Sequence, residues 1–344
     1  MTALLPREGV QGVSRQSPWE VGKQYGVRRN RLLIGVALAF AAVSGVFGFP
    51  TGREVITLWL LAFLFAVVGG DPRTWRRTVV HDWLPLLVGL SAYDLLRGFA
   101  KGSAGRAHIT PQLRLEERLF GGTAPTEWLQ AKLYDCVPAW YDYAIVPVYM
   151  SHFVVPLAVA AGLWATSYDR FRTWVMTLMT LTVMTLVTYA LLPAAPPWLA
   201  SETAAPGGGT YLPFIERVTS HTVAVSGIPT IHNAVQRGEA YANPVAALPS
   251  FHSAVPMLVL LTFWPVLGRV GRTLLAAYPL VMTFALVYGG EHYVVDVLMG
   301  WAYAGIAVAL VAGWQRRRRR MRRLPVAAAL PDPERVEASP GSER

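Results

Sequence analysis

Two stretches of this sequence hold side chains that could move protons or attack an electrophile. One is Pro249-Ser250-Phe251-His252-Ser253; the other is Gly290-Glu291-His292-Tyr293-Val294-Val295-Asp296. His292 and Asp296 lie four positions apart, so on a helix they share one face in adjacent turns. A carboxylate there can accept a hydrogen bond from one imidazole nitrogen, fixing the tautomer and leaving the other nitrogen as a nucleophile. His252 follows a proline and a serine, a helix-start signature in which Ser250 is the cap. A helix amino end offers N–H groups and a positive dipole end to an anion. A histidine beside it can protonate a leaving group. Together these parts make a phosphoryl-transfer site, which requires neither metal nor cofactor. Singly, each has a plainer reading as an interfacial histidine or a His–Asp pair joining two helices. With Glu291 the same residues could also surround a metal ion, although no further tight ligand spacing supports it.

Between the two stretches lies Met257–Val287, apolar but interrupted by Gly268-Arg269-Val270-Gly271-Arg272. With their flanks its halves approach membrane length, so the segment reads as a helical hairpin. A hairpin returns the chain to the side it left, which puts His252 and His292 at the same aqueous boundary. The whole chain suits that setting. Of 344 residues 53% are hydrophobic and 15% charged, with a mean hydropathy of +0.35, values ordinary for a polytopic helical membrane protein. Further spans are expected at Leu32–Phe49, Val55–Gly69, Trp83–Phe99, Asp142–Trp164, Trp174–Leu192 and about Val294–Trp314. That makes an all-α bundle of about eight transmembrane helices. Leu113, Leu115, Leu119, Trp128, Leu129 and Leu133 suit short helices lying flat on the bilayer. The connection Leu199–Ala247 is long enough to be functional in its own right.

The formal charge of +10 is concentrated at the chain ends and in short turns: Arg28, Arg29 and Arg31, then Arg73, Arg76 and Arg77, then Arg170 and Arg172, and finally Arg316–Arg320. Placing these turns in the cytoplasm makes both termini cytoplasmic and brings the two histidines to the outer face of a cell membrane. Basic runs directly after apolar spans speak for a lipid surface and against a nucleic-acid partner. Residues 1–30 then form a cytoplasmic segment without a signal-peptide core, 31–314 a membrane domain with its catalytic half at about 142–314, and 315–344 a basic stretch and disordered tail. The single cysteine, Cys136, excludes an intrachain disulfide framework.

At these residues the chain resembles the type 2 phosphatidic acid phosphatase superfamily of integral-membrane lipid phosphatases and phosphotransferases. Pro249-Ser250-Phe251-His252 is similar to that family's Pro-Ser-Gly-His, and the segment ending in His292 and Asp296 to its Ser-Arg-x5-His-x3-Asp. The resemblance implies a six-helix core, His292 as a nucleophile that becomes a phosphohistidine, Asp296 as its partner and His252 as the general acid. Phe251 replaces a glycine, Ala285-Leu286 stands at the Ser-Arg position, and the Lys-x6-Arg-Pro motif is replaced by Ala195-Pro196-Pro197-Trp198. Those departures resemble the inositol phosphorylceramide synthase and sphingomyelin synthase branch, whose last motif reads His-Tyr-x-x-Asp. By that resemblance the partners are membrane lipids, a lipid phosphate substrate and a water or polyol acceptor. Ser250, Ser253, Phe251, Trp198 and Tyr293 would line the substrate site; of Arg217, His221, His232 and Arg237, which could supply charge from the long connection, Arg237 is the one expected there. A proton- or metal-linked transporter is the reading from another class.

Overall fold

The computed structural model describes residues 22–47, 53–89, 107–227, 232 and 243–322. Among them the chain is helical, with isolated bridges in place of a sheet. Twelve helices follow: α1 (Gly26–Phe47), α2 (Arg53–Val67), α3 (Pro72–Thr78), α4 (Thr110–Leu119), α5 (Pro125–Leu133), α6 (Trp140–Thr166), α7 (Tyr168–Leu191), α8 (Pro197–Glu202), α9 (Val218–Val225), α10 (Phe251–Phe263), α11 (Arg269–Tyr288) and α12 (Val294–Arg322). Five of these, α1, α6, α7, α11 and α12, contain stretches long and apolar enough to cross a membrane, while α2 and α10 are apolar but shorter. The expected span Trp83–Phe99 begins as a π-helical turn, Val79–Trp83, and continues helically through residues 84–89. Its remainder, with Asp94 and Arg97, lies outside the described residues, as do the expected tail beyond residue 322 and most of the cytoplasmic segment 1–30.

The centre of the bundle is α6, α7, α10 and α12. Trp164, Phe171, Trp174, Leu178, Leu181, Val255, Leu258, Ala304 and Ala307 form its buried core. In lipid, helices gain little from burying apolar surface against each other, so close approach through small residues decides which of them pair. Gly300 provides one such approach: a β-carbon there would stand 2.3 Å from the Ser250 carbonyl oxygen. The helices that carry the two motifs, α10 and α12, are thereby locked together. Prolines 147 and 156 in α6, 256 in α10 and 279 in α11 sit inside helices, which neighbouring helices make tolerable at membrane depth.

The basic run extends α12 past the expected end at Trp314 to Arg322, because arginine sustains a helix after the chain has left the apolar region. In contrast α10 has only 13 residues, about 20 Å of rise where the hydrocarbon core takes about 30 Å. A helix of that length does not cross the apolar layer by itself, and a cap of short helices closes the space above its amino end. In the cap, α4 and α5 do not simply lie on a bilayer. Two of their polar residues seat on protein, with Glu116 accepting from the Val295 amide at 3.0 Å, and Gln130 donating to the Glu216 and Tyr288 carbonyls at 2.8 Å each. Leu115, Leu119 and Trp128 face outward, whereas Leu113, Leu129 and Leu133 pack inward. The long connection supplies α8 and α9 to the same cap, with Leu212 and Ile215 packed on Leu113 and Tyr293.

Candidate active site

His252 is the second residue of α10. Ser250 caps that helix, its Oγ accepting from the Ser253 amide at 3.2 Å. His292 lies two residues before α12, after Gly290 at φ +74 has turned the chain back beneath the cap. The two imidazole centroids are 5.6 Å apart, so the histidines that the hairpin argument put on one boundary are neighbours.

Backbone contacts fix His292. Its Nδ1 is 3.0 Å from the Ala247 carbonyl oxygen and 3.7 Å from Asp296 Oδ2. A carbonyl only accepts, so Nδ1 carries the hydrogen and Nε2 of the neutral ring keeps its lone pair. This differs in detail from the expected carboxylate–imidazole bond. Asp296 lies in the first turn of α12, where its Oδ2 accepts from the Tyr293 amide at 3.0 Å and caps the helix. It stands behind the imidazole N–H while the carbonyl takes the short contact. Ala247 is braced in turn: its amide donates to Ala194 at 3.2 Å, and Ala194 bridges to both His108 and Ala246. The segment at the Pro-Pro-Trp wedge thus holds the backbone that orients the ring.

The other residues expected to line the site have mixed placements. Ser253 is fully buried, and its hydroxyl donates within reach of the Ser250 and Val297 carbonyls, at 3.0 and 3.1 Å. Ser250 is equally buried, Phe251 packs in the main core, and Tyr293 is enclosed beneath α4. These four shape the walls rather than the opening. Trp198 is half-buried at the mouth, tied by its amide to the Gly290 carbonyl at 3.1 Å. Arg237 lies outside the described residues. The guanidinium the fold does bring to this mouth is Arg217, paired with Glu291 at 3.0 Å and stacked 4.6 Å from the Trp198 ring centroid.

Two neighbours of His252 were not assigned a role from sequence. His152 of α6 has its ring centroid 4.2 Å from that of His252, and Tyr149, one turn earlier, stacks on His252 at 5.0 Å and 18°. They lie on one face at i and i+3, but an apolar span gives no sign of which face meets α10. Glu116, whose carboxylate is fully enclosed, is the third omission. Burial pushes it up to about 7, with the Val295 amide opposing and the nearby Asp296 reinforcing the shift. No group of three His, Cys, Asp or Glu side chains among the described residues is arranged to hold a metal ion.

A family model described as the PAP2 superfamily matches residues 113–310. This range takes in α4 through most of α12, and hence the cap and both histidines. No curated protein and no solved structure matches the chain.

Proposed function

Because the chain belongs to the PAP2 superfamily, with the lipid phosphatase- or phosphotransferase-type function that membership carries, we propose that it transfers a phosphoryl or phosphodiester group between lipid and hydroxyl through a phosphohistidine on His292. The observation that carries this reading is the pair of imidazoles 5.6 Å apart, one of them with its Nδ1 held on a carbonyl. In the first step Nε2 of His292 forms a bond to phosphorus, the phosphorus–oxygen bond to the leaving alcohol breaks, and His252 gives that oxygen its proton. In the second step an acceptor hydroxyl loses its proton to His252 and attacks phosphorus. The nitrogen–phosphorus bond then breaks and both rings return to their starting state. Asp296 stabilises the imidazole N–H as positive charge develops. Arg217 supplies cationic charge at the mouth in place of the absent lysine and arginine motif.

His292 is only 5% exposed, under a cap of four short helices. Exclusion of bulk water favours a bound hydroxyl as acceptor over hydrolysis. Transfer of an inositol phosphate to a lipid is the form we favour, with a simple lipid-phosphate phosphatase second.

The test uses the purified full chain in detergent with labelled lipid phosphates and phosphatidylinositol, with and without inositol or a lipid alcohol. A new phosphodiester lipid is expected. An acid-labile phosphate on His292 is expected too, with turnover falling by about a thousandfold or more in His292→Ala. Phosphate release to water alone would identify a phosphatase. Full turnover in His292→Ala would overturn the mechanism, and proton or metal flux dependent on His292 without lipid turnover would favour a transporter.

A further inference from the structure

At the opposite end of the bundle from the histidines, the start of α7 and the end of α12 enclose a groove of about 220 Å³. Arg172 from α7 and Arg318 and Arg319 from α12 line it, together with Asp169, Met176 and Trp314. From this geometry we infer that the groove binds the headgroup of an anionic phospholipid, in the leaflet facing away from the catalytic histidines. The inference does not depend on the reaction proposed above.

Position is the first argument. Twenty residues of α12 separate Val294 from Trp314, a rise of about 30 Å, or one hydrocarbon thickness. A groove at Trp314 therefore opens where phosphates lie when His292 is near the other boundary, and tryptophan is itself an interface residue.

Size and chemistry point the same way. A groove of about 220 Å³ has room for a phosphate with a small polar alcohol, with the acyl chains running out along the helices. Three guanidinium groups against one carboxylate leave a net charge of +2, and arginine's planar fork matches phosphate oxygens in pairs. Met176 and the Trp314 ring give the adjoining glycerol and first methylenes an apolar wall.

The groove is also organised in advance. Gln315 Nε2 donates to Thr173 Oγ1 at 3.0 Å, tying α12 to α7. The Arg318 guanidinium rests 5.2 Å from the Trp314 ring centroid, where the π-face holds it. All five arginines of the run 316–320 are exposed, but Arg316, Arg317 and Arg320 do not line the groove. They add only the diffuse attraction that any basic juxtamembrane segment has for an anionic leaflet. That division makes the inference testable.

Native mass spectrometry of the full chain in neutral detergent, titrated with phosphatidylglycerol, phosphatidylcholine or soluble glycerol 3-phosphate, reads the binding directly. One phosphatidylglycerol is expected to be retained at least about tenfold more tightly than phosphatidylcholine or the soluble anion. The triple variant Arg172→Gln, Arg318→Gln, Arg319→Gln should lose about tenfold. Arg316→Gln, Arg317→Gln, Arg320→Gln, which removes equal charge from the same helix end, should stay within about twofold. In a folded background independent of the triple, Asp169→Asn should tighten binding a few-fold. Equal losses in the two triples would reduce the groove to diffuse surface charge and overturn the inference. Equal binding of phosphatidylcholine, equal binding of glycerol 3-phosphate, or an unmoved Asp169→Asn would each do the same.

Discussion

At the scale of single residues the site depends on two imidazoles held by unlike means. Hydrogen bonding holds His292: the Ala247 carbonyl takes Nδ1–H, and the Asp296 carboxyl lies behind it. Ring faces pack on His252, with Tyr149 stacked on one side and His152 tilted against it. Ring stacking helps set where the His252 imidazole sits. Tyr149→Leu and His152→Leu should therefore lower kcat by about tenfold with little change in KM, as expected when only the general acid is displaced. His152→Phe, which keeps a ring face, should recover most of that rate. If His152→Phe is as slow as His152→Leu, or if KM carries the loss, His152 does not act by positioning His252.

Among the helices, two contacts hold the motifs in register. The first is the approach of α12 to the amino end of α10 at Gly300. A methyl group there would meet the Ser250 carbonyl oxygen at 2.3 Å and the Ser253 hydroxyl at 2.4 Å. Since the nearer atom is backbone, Gly300→Ala should cost about 1–3 kcal/mol by overpacking and separate the two histidines. Turnover should then fall together with Tm, whereas an unchanged Tm would refute the packing account. The second is the seat of α4 on α12 through Glu116. Its carboxyl is pushed up to about 7 from an ordinary 4.5 by burial, so the folded state holds the proton more tightly than the unfolded one. The stability this contributes is complete below about pH 4.5 and is lost as pH rises through about 7. Glu116→Gln keeps an oxygen acceptor for the Val295 amide and removes the ionisation. Melting at a series of pH values should show the wild type losing Tm between pH 5 and 8 and the variant losing less. Equal slopes would mean that Glu116 is not the group responsible.

Across the whole molecule, the paired imidazoles and the basic charge lie at opposite ends of the bundle. The basic turns, the groove and Arg316–Arg320 lie at one end, and the imidazoles lie beneath the cap at the other. Charge asymmetry sets such an orientation during insertion, so the capped end should face outward. The chain carries its own reporter, because its one cysteine, Cys136, is exposed in the loop between α5 and α6 at the capped end. A membrane-impermeant maleimide should label Cys136 in intact cells without permeabilisation. Labelling only after permeabilisation would invert the topology while leaving the two histidines on one face.

Sequence alone determined that the chain is a helical membrane bundle, and that His252, His292 and Asp296 come close together. Those conclusions depend on properties local to the chain: apolar runs of membrane length, an i,i+4 spacing, a proline–serine helix start, and the parity of a hairpin. The tertiary structure alone decided which groups surround those three. In an apolar span every face reads alike, so nothing in α6 marked Tyr149 and His152 as the side that meets His252. Arg237 was the cation expected from the long connection, and it took folding to set Arg217 of the same connection against Glu291 and Trp198. The amphipathic pattern of α4 and α5 was legible, but not that Glu116 and Gln130 would turn inward. A surface helix and a cap under lipid share that periodicity, and only the partners Val295, Glu216 and Tyr288 distinguish them. Covalent spacing is written in the chain, whereas contact between distant segments depends on how whole helices pack.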